Sequence, residues 1–286
     1  MAEVRTDLAL ECGGLEQGRQ VEGAEVSEEQ LEGFPLTTVR ITSPAGARAL
    51  GKPEGSYLTL DLRRYRAMGA DALSRGVRAV GQCIARLLPK ETRGEALVVG
   101  LGNRAVTPDA VGPRCADHVL VTRHLTRSDP EQFGGFYPVA ALAAGVLGTT
   151  GVESGELVQA VCEKIKPGFV LAVDALAARS AGRLCTTIQI ADTGISPGSG
   201  IGNARFALNR ETLGVPVLAI GVPTVVDGGT LAQEVGGAAD EELAQMLVTP
   251  KDVDTLVTEL AKLLGYGINS ALQPGLSVAE MDYFLG

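Results

Sequence analysis

Two aspartates, Asp109 and Asp174, each follow an apolar run that is typical of a buried strand. The runs are residues 96–99 and 169–173. In open α/β sheets the loops at the carboxyl ends of the strands gather side chains from distant parts of the chain, so we expect these two carboxylates to meet. Two carboxylates that lie close together cannot easily both ionise, and one can keep a proton while the other activates water. The pair predicts hydrolysis by acid–base catalysis, although each aspartate could instead cap a helix or close a turn.

Other polar side chains fall in loops expected at the same edge of the sheet, namely Asn103, Asp192 and Asp227. Asp192 begins the triplet Asp-Thr-Gly of aspartic proteases, but those proteins have all-β folds, which disfavours that interpretation. The glycine-rich residues 198–203 lack the Lys-Ser/Thr of a P-loop and the last glycine of a dinucleotide loop, although they could still bind an anion. His118 and His124 lie on or near one predicted helix, and without a Gly-x-Ser-x-Gly elbow a Ser-His-Asp arrangement is disfavoured.

Composition narrows the class of protein. The chain has 286 residues, a net charge of -9 and no run of lysine or arginine, so direct nucleic-acid binding is not expected. It contains no apolar run of about 18 residues and no N-terminal leader in which basic residues precede apolar ones. We therefore expect a soluble, intracellular protein without membrane partners. The five cysteines are odd in number and have no short paired spacing, which disfavours a disulfide framework or a cysteine-based zinc site.

The pattern of apolar residues predicts a three-layer α/β domain with a mostly parallel central sheet. Residues 11–35 are acidic and poor in apolar side chains, so we expect a mobile segment there. We interpret residues 1–20 as a candidate pro-segment and residues 21–286 as a single domain. The expected strands are 36–42 and 57–62, which form an edge hairpin or a sheet extension, then 96–101, 169–174, 187–190 and 215–220. The expected helices are 73–87, one from 112 towards 125 or from Thr107 as its N-cap, 156–165, and 253–264 capped by Thr249 and Pro250.

Several sequence blocks resemble the germination protease family of endospore-forming bacteria. They are residues 4–9, 100–103, 106–109, 121–125, 145–148, 174–177, 187–190, 197–203, 211–216 and 226–227, and they keep the family's order from residue 4 to about residue 274. The resemblance implies an endopeptidase, made as a zymogen, that degrades small acid-soluble spore proteins when germination begins. It also implies a homotetramer in the cytoplasm of the forespore and spore core, and the fold of the hydrogenase maturation proteases. The two essential carboxylates of the family fall on Asp109 and Asp174.

The expected mechanism uses Asp109 and Asp174 on one water, with Asn103 orienting a carboxylate or polarising the scissile carbonyl. A coupled pair titrates as a unit, so acid and base are not assigned. Family cleavage sites resemble Glu-Ile/Phe-Ala followed by Ser-Glu, and residues 24–28 match them only loosely. Hydrogenase maturation proteases place a metal-binding histidine after the second carboxylate, whereas both histidines here precede Asp174, so we expect no metal or other cofactor. The alternatives are a metal-dependent maturation protease for another protein and a non-proteolytic anion-binding module.

Overall fold

A computed structural model describes residues 6–89, 94–196, 206–237 and 242–286. Nine strands of these residues form one sheet, in the order β1-β2-β3-β7-β8-β6-β4-β5, with β9 paired to β8. The neighbours β8, β6, β4 and β5 are parallel, and the other pairs are antiparallel. The strands are β1 Ala24–Leu31, β2 Phe34–Ile41, β3 Gly55–Asp61, β4 Ala96–Leu101, β5 Val139–Gly145, β6 Phe169–Ala178, β7 Thr187–Ala191, β8 Val217–Asp227 and β9 Leu247–Val248.

Helices cover both faces of the sheet. Alternate residues of β4 show this, because Val98 packs in the apolar cluster that contains α2, α3 and α10, whereas Leu97 and Val99 pack in the cluster that contains α7. The predicted three-layer α/β class is therefore confirmed. The helices are α1 Pro44–Leu50, α2 Ala72–Leu87, α3 Val111–Asp117, α4 Arg123–Ser128, α5 Pro130–Phe133, α6 Leu147–Thr150, α7 Ser154–Ile165, α8 Arg210–Leu213, α9 Gly228–Glu234, α10 Val253–Leu272 and α11 Val278–Leu285.

Regular apolar spacing predicted the long elements well. Helices α2 and α7 and strands β4 and β7 agree with their predicted ranges within two residues. Helix α10 is eight residues longer than predicted, because its last two turns, including Tyr266 and Ile268, are also buried. Thr249 does not cap this helix; its hydroxyl donates to the carbonyl of Thr224 at 2.8 Å, and Asp252 is the N-cap residue.

The helix predicted after Asp109 is divided into shorter pieces. A 3₁₀ turn covers Thr107–Asp109, α3 ends at Asp117, and α4 is a separate helix. The alternative with Thr107 as the N-cap is also wrong, since Thr107 is already the first residue of the 3₁₀ turn and Val106 precedes it as the cap.

The prediction of a mobile segment at residues 11–35 is wrong. Strand β1 pairs with β2 along its whole length, from Ala24 with Ile41 to Leu31 with Phe34. An edge strand needs only its main-chain hydrogen bonds and one packed end, so a row of exposed glutamates does not prevent it from forming. The predicted hairpin of β2 and β3 is present, but β1 lies outside it and α1 lies between its strands.

Residues 6–17 are also packed against the domain. Two 3₁₀ turns, Ala9–Glu11 and Leu15–Gln17, follow one another there. Leu8 and Ala9 are fully buried, and Leu10 and Leu15 are nearly so. Among the described helices none is both long and apolar enough to cross a membrane.

Candidate active site

A cavity of about 590 Å³ lies where β4, β6 and β8 carry their chain towards the same edge of the sheet. Its lining includes both predicted aspartates, Asp109 and Asp174, although separate strands supply them. Asp7, Lys52 and Gln189, which the sequence reasoning did not single out, also line it. The arrangement brings three carboxylates and one ammonium group to the wall of a single cleft.

Asp109 is positioned by the sharp turn that follows β4. Gly102 has a φ of +106°, and a Cβ atom at this position would lie 2.1 Å from the carbonyl oxygen of Asp109. Only glycine allows so close an approach of the two main-chain segments. The carboxylate Oδ2 of Asp109 accepts a hydrogen bond from the main-chain N–H of Asn103 at 2.7 Å. The turn therefore fixes one oxygen of the carboxylate.

Asn103 contacts Asp109 through its main chain. Its side-chain Oδ1 accepts from the N–H of Ala105 at 3.0 Å and so closes the turn. Asn103 therefore supports the carboxylate of Asp109 through its main-chain N–H, which any residue except proline could supply. The side chain of Asn103 contributes indirectly, because its bond to Ala105 holds the conformation of the turn.

Asp174 lies inside a strand, and the expectation that it follows a strand is wrong. Strand β6 continues to Ala178, and Asp174 pairs with Gly221 of β8. Its side chain is buried, with 5% of the residue exposed, and its Oδ1 accepts from the N–H of Ala175 at 2.9 Å. The apolar residues that continue after Asp174 were the available signal that the strand does not stop there.

The N-terminal segment forms part of the wall of this cavity through Asp7. The N–H of Asp7 donates to the carbonyl of Ala177 at 2.9 Å, and Asp7 Oδ2 accepts from the N–H of Ala177 at 2.8 Å. Lys52 Nζ donates to the carbonyl of Thr6 at 3.2 Å. Gln189 bonds the carbonyl of Asp7 at 3.1 Å and the N–H of Ala9 at 2.7 Å. A glutamine in the middle of a buried apolar strand was the sequence signal for such a polar contact.

Glu11 fixes the same segment a little further along the chain. Its carboxylate is buried and accepts from the N–H groups of Arg179 at 2.6 Å and Ser180 at 3.1 Å, directly after β6. Arg183 Nε lies 3.4 Å from it, and the hydroxyl of Thr6 also donates to it. Burial raises the pKa of Glu11 above its usual value, and the hydrogen bonds from Thr6, Arg179 and Ser180 oppose that rise.

The remaining candidates, Asp192, Asp227, His118 and His124, do not line the cavity. Asp192 Oδ1 accepts from the N–H of Ser56 at 2.8 Å, and Asp227 caps α9 by accepting from the N–H of Thr230 at 3.0 Å. His118 is half-buried and packs edge-on against Tyr266, and His124 is exposed. Within the described ranges no group of three His, Cys, Asp or Glu side chains could hold a metal ion. Residues 198–203, the candidate anion loop, lie outside the described residues.

Comparisons with known proteins show which proteins this chain is similar to. The family model described as germination protease matches residues 5–236. The germination protease of Caldanaerobacter subterraneus subsp. tengcongensis is 40% identical, over 99% of this chain and 98% of its own. The germination protease of Clostridium perfringens is 37% identical over the whole length of both chains. That of Bacillus cereus is 36% identical, over 94% of this chain and 93% of its own. A solved structure, the [NiFe] hydrogenase maturation protease HycI from Thermococcus kodakarensis, is 19% identical with a TM-score of 0.38, over 65% of this chain and 99% of that one.

Proposed function

The chain belongs to the germination protease family and is a protease, and we propose that it is made as a zymogen and cleaves small acid-soluble spore proteins with Asp109 and Asp174. One observation carries the proposed mechanism: both carboxylates line one cavity, whereas Asp192 binds the main-chain N–H of Ser56 in β3 and Asp227 caps α9. The relatives are named germination proteases, which supports a role for this chain in germination.

The proposed chemistry needs only the two carboxylates and a water molecule. One carboxylate accepts a proton from the water as its oxygen attacks the scissile carbonyl. The other carboxyl group donates a proton to the nitrogen of the leaving amine, so that the protons balance over one turnover. Which of the two aspartates begins the cycle protonated is not assigned.

The hydrogen-bonded environment of each aspartate supports this role. The turn after β4 holds Asp109, and the sheet itself holds Asp174, so neither carboxylate has to be ordered when a substrate arrives. Pre-organised groups of this kind reduce the entropic cost of reaching the reactive geometry.

The position of the N-terminal residues supports the zymogen proposal. Thr6 and Asp7 are bonded to Lys52 and Ala177, which line the cavity, so the N-terminal residues occupy main-chain and side-chain groups that a substrate could bind. The removable part should be shorter than the candidate pro-segment of residues 1–20. Leu8 and Ala9 are fully buried, and exposing a buried leucine alone costs roughly 1.5–3 kcal/mol. We therefore place the end of the removable part before Leu8.

The family also leads us to propose a homotetramer in the spore core. Exposed aromatic side chains support a contact between subunits, since 84% of Tyr283 and 52% of Phe284 are accessible in the single chain. Sedimentation should give four times the chain mass of 29.6 kDa. A monomer that cleaves its substrate normally would contradict this part of the proposal.

The test of the mechanism is Asp109→Asn, Asp174→Asn and the double variant, with Asp192→Asn as the matched control. Asparagine keeps an oxygen that can accept the N–H of Asn103 or of Ala175, so the variants should fold and assemble. Each single change should lower the turnover of a small acid-soluble spore protein by at least ~10²-fold, as removal of an acid or base does. The double variant should be scarcely worse than either single one. Turnover close to wild type in either folded single variant would refute the two-aspartate mechanism.

A further inference from the structure

We propose that an extended peptide substrate docks as an added strand on the edge of β6 next to Asp174, where it pairs with Ala177. In the uncleaved chain this place is occupied by Asp7. The inference rests on the proposed protease function and names the surface that holds the substrate. Main-chain pairing with a sheet edge is a general way to bind an extended peptide.

The edge exists because β6 extends further along the sheet than its neighbour β4. The pairing of β4 with β6 ends at Gly100 and Val173, whereas β6 continues to Ala178 and stays paired with β8 on its other side. All four residues from Asp174 to Ala177 line the cavity. Beyond Val173 the side of β6 that faced β4 therefore borders the cavity where the chemistry is proposed.

Ala177 is already hydrogen-bonded there to Asp7 of the same chain. Its carbonyl accepts the N–H of Asp7 and its N–H donates to the Asp7 carboxylate, at 2.9 and 2.8 Å. Two opposed residues of an antiparallel ladder exchange two N–H···O bonds in the same way, with a main-chain carbonyl in place of the carboxylate. Asp7 therefore occupies the position of a strand residue opposite Ala177, and a substrate residue can replace it with its own main-chain groups.

Two side chains extend this main-chain contact. Lys52 Nζ donates to the carbonyl of the residue before Asp7, and Gln189 Nε2 donates to the carbonyl of Asp7 itself. Both donors bind main-chain oxygens, which every peptide carries. If the chain up to Asp7 leaves, these donors and the edge at Ala177 become available together. The ligand class is an extended peptide recognised by its backbone at this point.

Backbone-edited substrates test the docking edge without changing the enzyme. A peptide from a small acid-soluble spore protein is made with one amide at a time, outside the scissile bond, replaced by an ester that lacks the N–H. The full-length chain is incubated until mass spectrometry shows its processed form, and kcat/KM is then measured for each peptide. Since main-chain groups alternate sides along a strand, one ester should lower kcat/KM about tenfold or more while its two neighbours change it less than about twofold.

Single substitutions provide a second measurement by binding. In the full-length chain Asp7→Ala should increase the affinity for the unmodified peptide at least about tenfold, whereas the exposed control Asp71→Ala should leave it unchanged. In the processed chain Lys52→Met should raise KM about tenfold, with the exposed Lys251→Met as its control.

Cleavage of every ester peptide at the same rate, with the unmodified peptide also cleaved, would overturn the docking edge and leave the protease function standing. Unchanged affinity in Asp7→Ala, when the processed chain cleaves the same peptide, would overturn it as well. Failure of the processed chain to cleave the unmodified peptide would instead refute the proposed function, and the docking edge with it.

Discussion

Gly102 should control the activity through the position of Asp109, and Gly102→Ala tests this. The φ of +106° lies in a region that side chains other than glycine rarely adopt. The added Cβ would also lie 2.1 Å from the carbonyl oxygen and 2.9 Å from the carboxylate Oδ1 of Asp109. Either the turn after β4 opens or Asp109 moves away from the cavity wall.

The expected size of the effect follows from these contacts. Backbone strain at such a φ costs about 1–3 kcal/mol of unfolding free energy. Normal van der Waals contact needs well over 3 Å, so Asp109 must shift by about 1 Å or more, and a misplacement of that size can cost about 10²-fold in rate. We therefore expect modest destabilisation together with a large loss of kcat.

Urea unfolding gives the change in stability, and cleavage of a small acid-soluble spore protein gives the change in kcat. The matched control is Gly151→Ala, since Gly151 also has a positive φ, at +72°, but no atom lies within 4 Å of its added Cβ. It should lose about 1–2 kcal/mol of stability and no activity. A folded Gly102→Ala variant with wild-type kcat would refute the idea that the turn places Asp109 for catalysis.

Three further outcomes are expected. Deleting residues 1–7 should leave a folded protein with higher activity. Deleting residues 1–20 should lower the free energy of unfolding by at least roughly 4 kcal/mol, because Leu8, Leu10 and Leu15 are buried. Higher activity in the longer deletion would contradict the boundary before Leu8. Because the pKa of Glu11 is raised in the folded protein, its contribution to stability is full below its usual pKa of 4.5 and is lost as the pH rises through the higher folded pKa. The free energy of unfolding in urea should therefore fall between about pH 4 and 7 in wild type but not in Glu11→Gln. Equal pH slopes of the two proteins would contradict this prediction. A chelator should leave cleavage unchanged, and loss of activity that zinc restores would favour the metal-dependent alternative.

Sequence patterns predicted those parts of the fold in which apolar spacing determines the structure. Helix α2 has a regular apolar stripe and β4 is a continuous apolar run, and both lie within two residues of the prediction. The same reasoning placed Asp109 and Asp174 in one site, because parallel strands bring the residues at their carboxyl ends to one edge. These predictions depend on local periodicity and on a general rule of topology.

The errors arise where main-chain hydrogen bonds determine the structure and side chains reveal little. Strand β1 has exposed side chains and is held by pairing with β2, so its composition resembles that of a disordered segment. The extension of β6 beyond Asp174 depends on a partner, β8, that also runs further than its apolar core. The contact of Asp7 with Ala177 joins residues far apart in sequence, and no local pattern encodes it.

The unequal lengths of β4 and β6 explain both halves of the proposed site. Because β4 ends at Leu101, the chain can turn at Gly102 and bring Asp109 to the cavity, which a longer β4 would prevent. The same early end leaves β6 unpaired by β4 beyond Val173, so Asp174 is buried within a strand yet borders the cavity. A substrate strand added at Ala177 would then extend the sheet where β4 ends, and would pass next to the cavity that both carboxylates line. The N-terminal residues satisfy part of this edge at Ala177, so the protection of an open edge and the proposed control of the protease would have one structural origin.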